Sequence, residues 1–258
     1  MANKGDSGSG TNAAKQRGRI LLGALLFSAV ASPAWAAQWN DLLMYTIVGG
    51  KEVTITGYVG MGGKLVIPPA IEGLPVTRIG EGAFKGRVEL TADVTIPDSV
   101  TEIGERAFAG CKEMQHLIMG PKVTEIGDAA FSGCSSLTGG ITVPDGVGSL
   151  KGGLFYACSN LVSVIVGKRV SDVGQSAFGN CPKLLGVYFK GPQPTVHFSA
   201  FSGIPGNIHY VDDQPGWGDA TFGDRPAMVW TIEATFNAGT VSPSYSSRTY
   251  RVGHPFTE

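Results

Sequence analysis

Four cysteines are the most chemically versatile side chains in this 258-residue chain. Cys111, Cys134, Cys158 and Cys181 follow one another at intervals of 23 or 24 residues. An even number permits two disulfides, and Cα atoms separated by one strand spacing, about 4.8 Å, lie within disulfide range. The regular spacing instead predicts a column of parallel side chains, which fits the disulfide dihedral poorly and cannot surround zinc tetrahedrally. We favour a row of buried free thiols and keep the disulfides as the alternative.

Three short motifs resemble parts of catalytic or nucleotide sites. Gly5–Gly8 and Ile47–Gly50 are typical of trypsin-like proteases, but they stand in the reverse order and no triad completes them. Gly60–Lys64 resembles a phosphate-binding loop, yet Tyr58 and Leu65 occupy the positions that require glycine and serine or threonine. The first two are interpreted as coincidences and the third as a cluster of turn glycines.

The histidines form no metal-binding pattern. They are scattered, with no carboxylate at ligand spacing, at His116, His197, His209 and His254. His116 and His209 each stand close to a predicted strand, and we expect both on the surface.

Three acids, Glu102, Glu125 and Asp172, recur at one position of a repeating pattern. General acid and base catalysis needs carboxylates in unlike surroundings, whereas these occupy equivalent ones. A solvated edge is expected, so the sequence predicts no catalytic residue, no metal site and no cofactor.

An internal repeat must position all of these residues. Phenylalanines recur every 23 or 24 residues, at Phe84, Phe108, Phe131, Phe155, Phe178 and Phe201. A branched aliphatic residue stands five residues before each, and the four cysteines stand three residues after the second to fifth. A unit this short cannot bury its own apolar face, so consecutive units must stack into a solenoid with the phenylalanines and cysteines in its core.

Each unit contains a strand whose first and third residues are apolar and point inward. These strands are Val94–Ile96, Leu117–Met119, Ile141–Val143, Val164–Val166 and Val187–Phe189. A second short extended stretch ends at a glycine, and the following Ala-Phe-x-Gly-Cys run predicts one tight helical turn. The expected architecture is a parallel, mainly β solenoid with short helical turns.

The middle residue of each strand faces solvent, which gives the row Thr95, Ile118, Thr142, Ile165 and Tyr188. Threonine is ordinary on an exposed strand, but isoleucine and tyrosine there are typical of recognition surfaces. Both residues also favour strands intrinsically, which is the competing explanation. We take this row, with the neighbouring His116, as the candidate binding face.

The consensus Ile-Pro-x-x-Val-Thr-x-Ile-Gly-x-x-Ala-Phe-x-Gly-Cys-x-x-Leu resembles the BspA-type leucine-rich repeat of secreted and surface-exposed bacterial proteins. The resemblance covers about residues 44–230, with Lys151 and Leu154 departing from it in the fourth copy. It implies an α/β leucine-rich-repeat solenoid of about six repeats over residues 65–230, with its closing segment included. Residues 37–64 would form an N-terminal β cap. Adhesion-like contact with a host or matrix is the implied activity.

The two ends of the chain differ from the repeat. Residues 1–36 combine basic Lys15–Arg19, apolar Ile20–Val30 and a small-x-small site ending at Ala36, which predicts a secretory signal peptide cleaved after Ala36. An uncleaved anchor is the alternative, but eleven apolar residues fall short of the ~20 that span a bilayer. Residues 231–258 resemble the first half of an internalin B-repeat-like module, and we expect this partial module to be poorly ordered.

Charge narrows the choice of partner. The net charge is −1, and after the signal peptide the chain holds 16 basic and 20 acidic residues without a basic run. Nucleic acid is therefore a poor partner, and no further stretch approaches transmembrane length. The sequence predicts a secreted or cell-surface, non-enzymatic module that recognises an extracellular protein or glycan. A structural spacer of the cell envelope without a specific ligand is the alternative.

Overall fold

A computed structural model of the protein describes residues 42–91, 93–212, 214–219 and 221–230. The expected signal peptide and the expected C-terminal module both lie outside the described residues. Within them the strands are β1 (Leu43–Val48), β2 (Glu52–Tyr58), β3 (Leu65–Val66), β4 (Ala70–Ile71), β5 (Leu74–Ile79), β6 (Asp93–Ile96), β7 (Glu102–Ile103), β8 (His116–Met119), β9 (Glu125–Ile126), β10 (Gly139–Thr142), β11 (Ser149–Leu150), β12 (Leu161–Val166), β13 (Asp172–Val173), β14 (Gly186–Phe189), β15 (Thr195–Val196), β16 (Asn207–Val211), β17 (Thr221–Phe222) and β18 (Arg225–Trp230).

The chain winds as a solenoid, and each coil contributes one strand to each of two parallel arrays. The main sheet runs β3-β6-β8 and continues as β10-β12-β14-β16-β18, with β17 antiparallel at its end. The second sheet runs β1-β2-β5-β7-β9 and continues as β11-β13-β15, with β1 antiparallel to β2. Equivalent repeat positions pair across coils, as Val94 does with Leu117. The predicted parallel β solenoid is confirmed.

A stack of phenylalanine rings fills the space between the two sheets. All six repeat phenylalanines are buried, and adjacent rings lie 4.8 to 5.8 Å apart with interplanar angles of 3° to 18°. Side chains that alternate along the main-sheet strands complete the core, as Val164 and Val166 do. Because each ring packs on the rings of both neighbouring coils, the apolar surface of one repeat is buried only by the next repeat.

The predicted helical turns are wrong. Gly80–Leu90 and its counterparts in later coils form hydrogen-bonded turns, and the described residues contain no α-helix. Ala83 N–H donates within its own coil to Gly80, but Phe84 N–H donates to the carbonyl of Ala107 in the next coil at 2.7 Å. Since alternate N–H groups point out of the coil, the i to i−4 bonding of a helix cannot form.

Each end of the ring stack is covered by a dedicated structure. At the start, the β1–β2 hairpin turns at Gly49 and Gly50, whose φ angles are +59° and +68°, and Tyr58 packs 5.9 Å from Phe84. At the other end Phe222 packs 5.9 Å from Phe201. Without these covers the outermost rings would face water, so the array needs both of them.

Replacing Phe131 by alanine removes a ring from the middle of the stack. We expect the free energy of unfolding to fall by about 3–5 kcal/mol, because the cavity cannot close while both neighbouring rings are held by their own coils. Denaturant unfolding followed by circular dichroism measures this loss. Phe131→Leu keeps most of the volume and serves as the control, with a smaller loss. An unchanged midpoint in Phe131→Ala would contradict the stacked core.

Two adjacent alanines test the turn geometry. Ala129 has a φ of +53°, in the left-handed region, whereas Ala130 is buried and has no such angle. Ala129→Gly is expected to raise the free energy of unfolding by about 0.5–1 kcal/mol. Glycine removes the strain of the left-handed backbone, and this gain exceeds the entropic cost of the more flexible residue. Ala130→Gly is expected to lower it by about 1 kcal/mol. Thermal unfolding of the two variants measures both, and equal effects would refute the assigned backbone.

Candidate recognition face

The middle residues of the main-sheet strands form a row on the solvent side, in which neighbours are paired from Val66 to Ile118 and from Thr142 to Met228. Its members, in order of coils, are Val66, Thr95, Ile118, Thr142, Ile165, Tyr188, His209 and Met228, here called the outer row. The row arises because each of these residues sits between two inward-pointing ones, as Ile165 does between buried Val164 and Val166. It brings together all five strand residues predicted from the sequence.

The first half of the outer row exposes aliphatic side chains. Ile118 is 58% exposed and Val66 is 40% exposed, with the less exposed Thr95 between them. Beside them, the Nδ1 atom of His116 lies 2.8 Å from a carboxylate oxygen of Asp93 on the preceding strand. A partner that covers such a surface can bury the aliphatic groups while the polar groups of His116 and Asp93 keep hydrogen-bond partners.

The second half of the row is aromatic and more tightly packed. The Tyr188 ring stacks on the His209 ring, with centroids 4.4 Å apart and an interplanar angle of 12°. Tyr188 also leans back over Gly186, because a Cβ at that glycine would meet the tyrosine hydroxyl at 2.8 Å. Glycine at position 186 therefore lets the tyrosine lie along its own strand, and the stack holds the ring in place.

His209 corrects a prediction. It lies inside β16 and is only 6% exposed, instead of on the surface beside a strand. The ring is buried although it points away from the core, because the adjacent Tyr188 covers one of its faces. Burial lowers the pKa of His209 below its ordinary value, so the imidazole is neutral at neutral pH.

Sequence reasoning missed Val66, His209 and Met228 as members of the outer row. The available signal was the triplet Ile208–Tyr210, which alternates like the earlier strands but follows Tyr188 after a shorter interval. The spacing of the repeat changes there, and only the pairing of His209 with Tyr188 and with Met228 settles the register.

The second sheet presents a different, polar surface. Glu102 forms an ion pair with Arg78 at 2.8 Å, and the Asp172 carboxylate accepts hydrogen bonds from Ser149 and Thr195. Glu125 pairs with Glu102 in the parallel register and is exposed. The repeated acids thus lie on a solvated sheet face.

The glycine cluster that resembled a phosphate loop is engaged with the protein itself. Gly63 N–H donates to the Glu89 carbonyl at 2.8 Å, and a Cβ at Gly62 would fall 1.8 Å from that same oxygen. The segment leads into β3 instead of a helix. Its backbone groups therefore hold the cap against the first repeat.

The four cysteines are buried free thiols. Each Sγ donates to the carbonyl of the phenylalanine in the preceding coil, at 3.0 to 3.2 Å, from Cys111 to Phe84 through Cys181 to Phe155. Burial raises the pKa of Cys111 to about 12 and that of Cys181 to about 11, and it raises the pKa of the other two as well. The thiols are therefore protonated donors that join neighbouring coils.

The sequence profile of the BspA type leucine rich repeat region matches residues 77–206 in 6 copies, about half of the chain. The protein belongs to the BspA-type leucine-rich-repeat family. No curated protein matches the chain.

Solved leucine-rich-repeat structures resemble this BspA-type chain. The T. pallidum leucine rich repeat protein is 26% identical, with 64% of this chain and 89% of that chain covered and a TM-score of 0.49. A protein from Bacteroides capillosus ATCC 29799 is 33% identical over 41% of this chain and 80% of its own, with a TM-score of 0.38. A leucine rich cell surface protein from Faecalibacterium prausnitzii A2-165 is 25% identical over 58% of this chain and 53% of its own, with a TM-score of 0.42.

Over the ranges that the structure describes, no three histidine, cysteine or acidic side chains converge closely enough to hold a metal ion. In those same ranges, no helix combines the length and the apolar character that crossing a bilayer requires.

The buried thiols of the BspA-type repeats make the stability of the protein fall as the pH rises through the alkaline range. Cys181 keeps its proton in the folded state up to about pH 11, while the unfolded thiol loses it near 9.0. The contribution of the Cys181 thiol to the free energy of unfolding is therefore complete below pH 9. It is lost as the pH rises toward 11, by up to about 1.4 kcal/mol per pH unit. Urea unfolding at pH 8, 9.5 and 10.5 measures the slope, which is expected to be shallower in Cys181→Ala. Identical slopes would contradict the raised pKa.

Proposed function

We propose that this protein is a secreted or cell-surface recognition module that binds an extracellular protein or glycan through the outer row of its main sheet. The observation that carries the proposal is the contrast between the two sheets. The outer row exposes Ile118 and Val66 and holds the Tyr188–His209 stack, whereas the second sheet exposes the Arg78–Glu102 ion pair and hydroxyl groups bonded to Asp172.

The energetics of the outer row support this role. An exposed isoleucine gives up unfavourable hydration when a partner covers it, at roughly 25 cal/mol per Å² of buried apolar area. Tyr188 is already held by Gly186 and by the His209 ring, so little side-chain entropy is lost when it contacts a partner. Anchored aromatic and aliphatic side chains of this kind dominate binding energy in protein interfaces.

The family supports the same proposal. Repeat solenoids bind through extended sheet surfaces, to which each coil adds one side chain per row. A surface assembled in this way is long and open, which suits a macromolecule better than a small substrate. Secretion follows from the predicted signal peptide, and adhesion to a host or matrix is the activity that we assign. We propose no catalytic step.

The test is a binding screen of the full-length protein against purified extracellular-matrix proteins and a printed glycan array. The double variant Tyr188→Ala, Ile118→Ser is expected to lose at least tenfold in affinity for any saturable hit, because both anchors are removed. Val59→Ser with Tyr156→Ala is the matched control, since it also removes an exposed aliphatic and a tyrosine but lies away from the outer row.

Two results would overturn the proposal. Equal losses in the test and control variants would mean that the outer row is not the site. A blank screen with well-folded protein would favour the spacer role in the cell envelope. Because Tyr188 and Ile118 face solvent, both variants are expected to fold, and circular dichroism checks this. An unfolded Tyr188→Ala protein would mean that the inward and outward faces of the strand are assigned the wrong way round.

A further inference from the structure

A second surface lies away from both sheets, on the turns that follow the second sheet. There a shallow trough of about 560 Å³ crosses the first three coils. Its uncharged lining consists of small residues, Gly86, Ala109, Gly110, Ala129 and Ser132, together with the exposed aliphatic side chain of Val88. None of the described residues that line the trough is acidic.

Three exposed cations also line the trough. Arg106 and Lys112 stand three residues before and three residues after Ala109 in the same coil, and Lys85 occupies the position equivalent to Ala109 in the preceding coil. Ser132 is the equivalent residue in the following coil. This is a local concentration of positive charge on a chain that carries a net negative charge overall after residue 36.

The backbone of the uncharged lining is already engaged. Gly86 N–H donates to the Ala109 carbonyl and Gly110 N–H to the Ser132 carbonyl, both at 2.7 Å. An anion in the trough must therefore be bound by the side chains. Arg106 forms an ion pair with the adjacent Glu105, but a guanidinium has five N–H donors and can hold a second acceptor.

We propose that this trough binds sulfate groups of an anionic polysaccharide. Three cationic arms and one hydroxyl match the three terminal oxygens of a sulfate ester better than the two oxygens of a carboxylate. The trough is shallow and open, so a free ion would stay hydrated there. A polysaccharide chain supplies many sulfates at once, and its binding gains from their number. This site goes beyond the recognition proposed for the outer row and is independent of it.

The probe is a heparin octasaccharide titrated into the full-length protein by calorimetry at several salt concentrations. The double variant Lys85→Ala, Lys112→Ala is expected to bind about tenfold more weakly, with a salt dependence reduced by about two ions. Lys122→Ala with Lys168→Ala is the matched control. It removes the same charge from exposed lysines outside the trough and is expected to bind like the wild type.

Several outcomes would overturn the proposal: no binding by the wild type, equal weakening in the control, or equal binding of desulfated heparin that retains its carboxylates. A poly-glutamate peptide that competes as well as the octasaccharide would replace the sulfated glycan with an acidic peptide, and would also refute it. The Tyr188→Ala, Ile118→Ser variant should bind the octasaccharide normally. A loss there would move the site to the outer row, so the two proposals fail separately.

Discussion

The stack of phenylalanine rings is the interaction on which the rest of the structure depends. Each ring lies 4.8 to 5.8 Å from the next, a distance close to the spacing of paired strands. The rings and the two strand arrays therefore advance along the solenoid in the same step. A coil cannot bury its ring by itself, so cooperativity extends through the array, and the ends need covers such as Tyr58 and Phe222.

The turns show how backbone hydrogen bonding follows from this stacking. Every second N–H donates to the neighbouring coil, so the segment cannot be a helix, and positive φ angles at Arg106, Ala129 and Ser176 accompany that arrangement. The cysteine thiols add a further bond between coils by donating to the phenylalanine carbonyls. Regularity inside the solenoid thus comes from repeated contacts between coils, and only outward-facing positions are left to vary.

Those outward positions carry the chemistry of the surface. The outer row is aliphatic and aromatic, the second sheet carries the Arg78–Glu102 ion pair and hydrogen-bonded hydroxyl groups, and the turns of the first coils bring three cations close to small residues. A solenoid can hold such different surfaces because a change at an outward position does not disturb the core. The two proposed binding sites therefore occupy separate columns and can be tested by separate variants.

The sequence by itself determined the solenoid, the buried phenylalanine and cysteine positions and the direction of the strand side chains, because each depends on a spacing that recurs in every copy. It predicted helical turns wrongly, since a local run such as Ala107–Cys111 does not reveal that its N–H groups donate to another coil. It also placed His209 on the surface. The stack of His209 on Tyr188 and the group of three cations near Ala109 each join residues from different coils, so only the tertiary structure decided them.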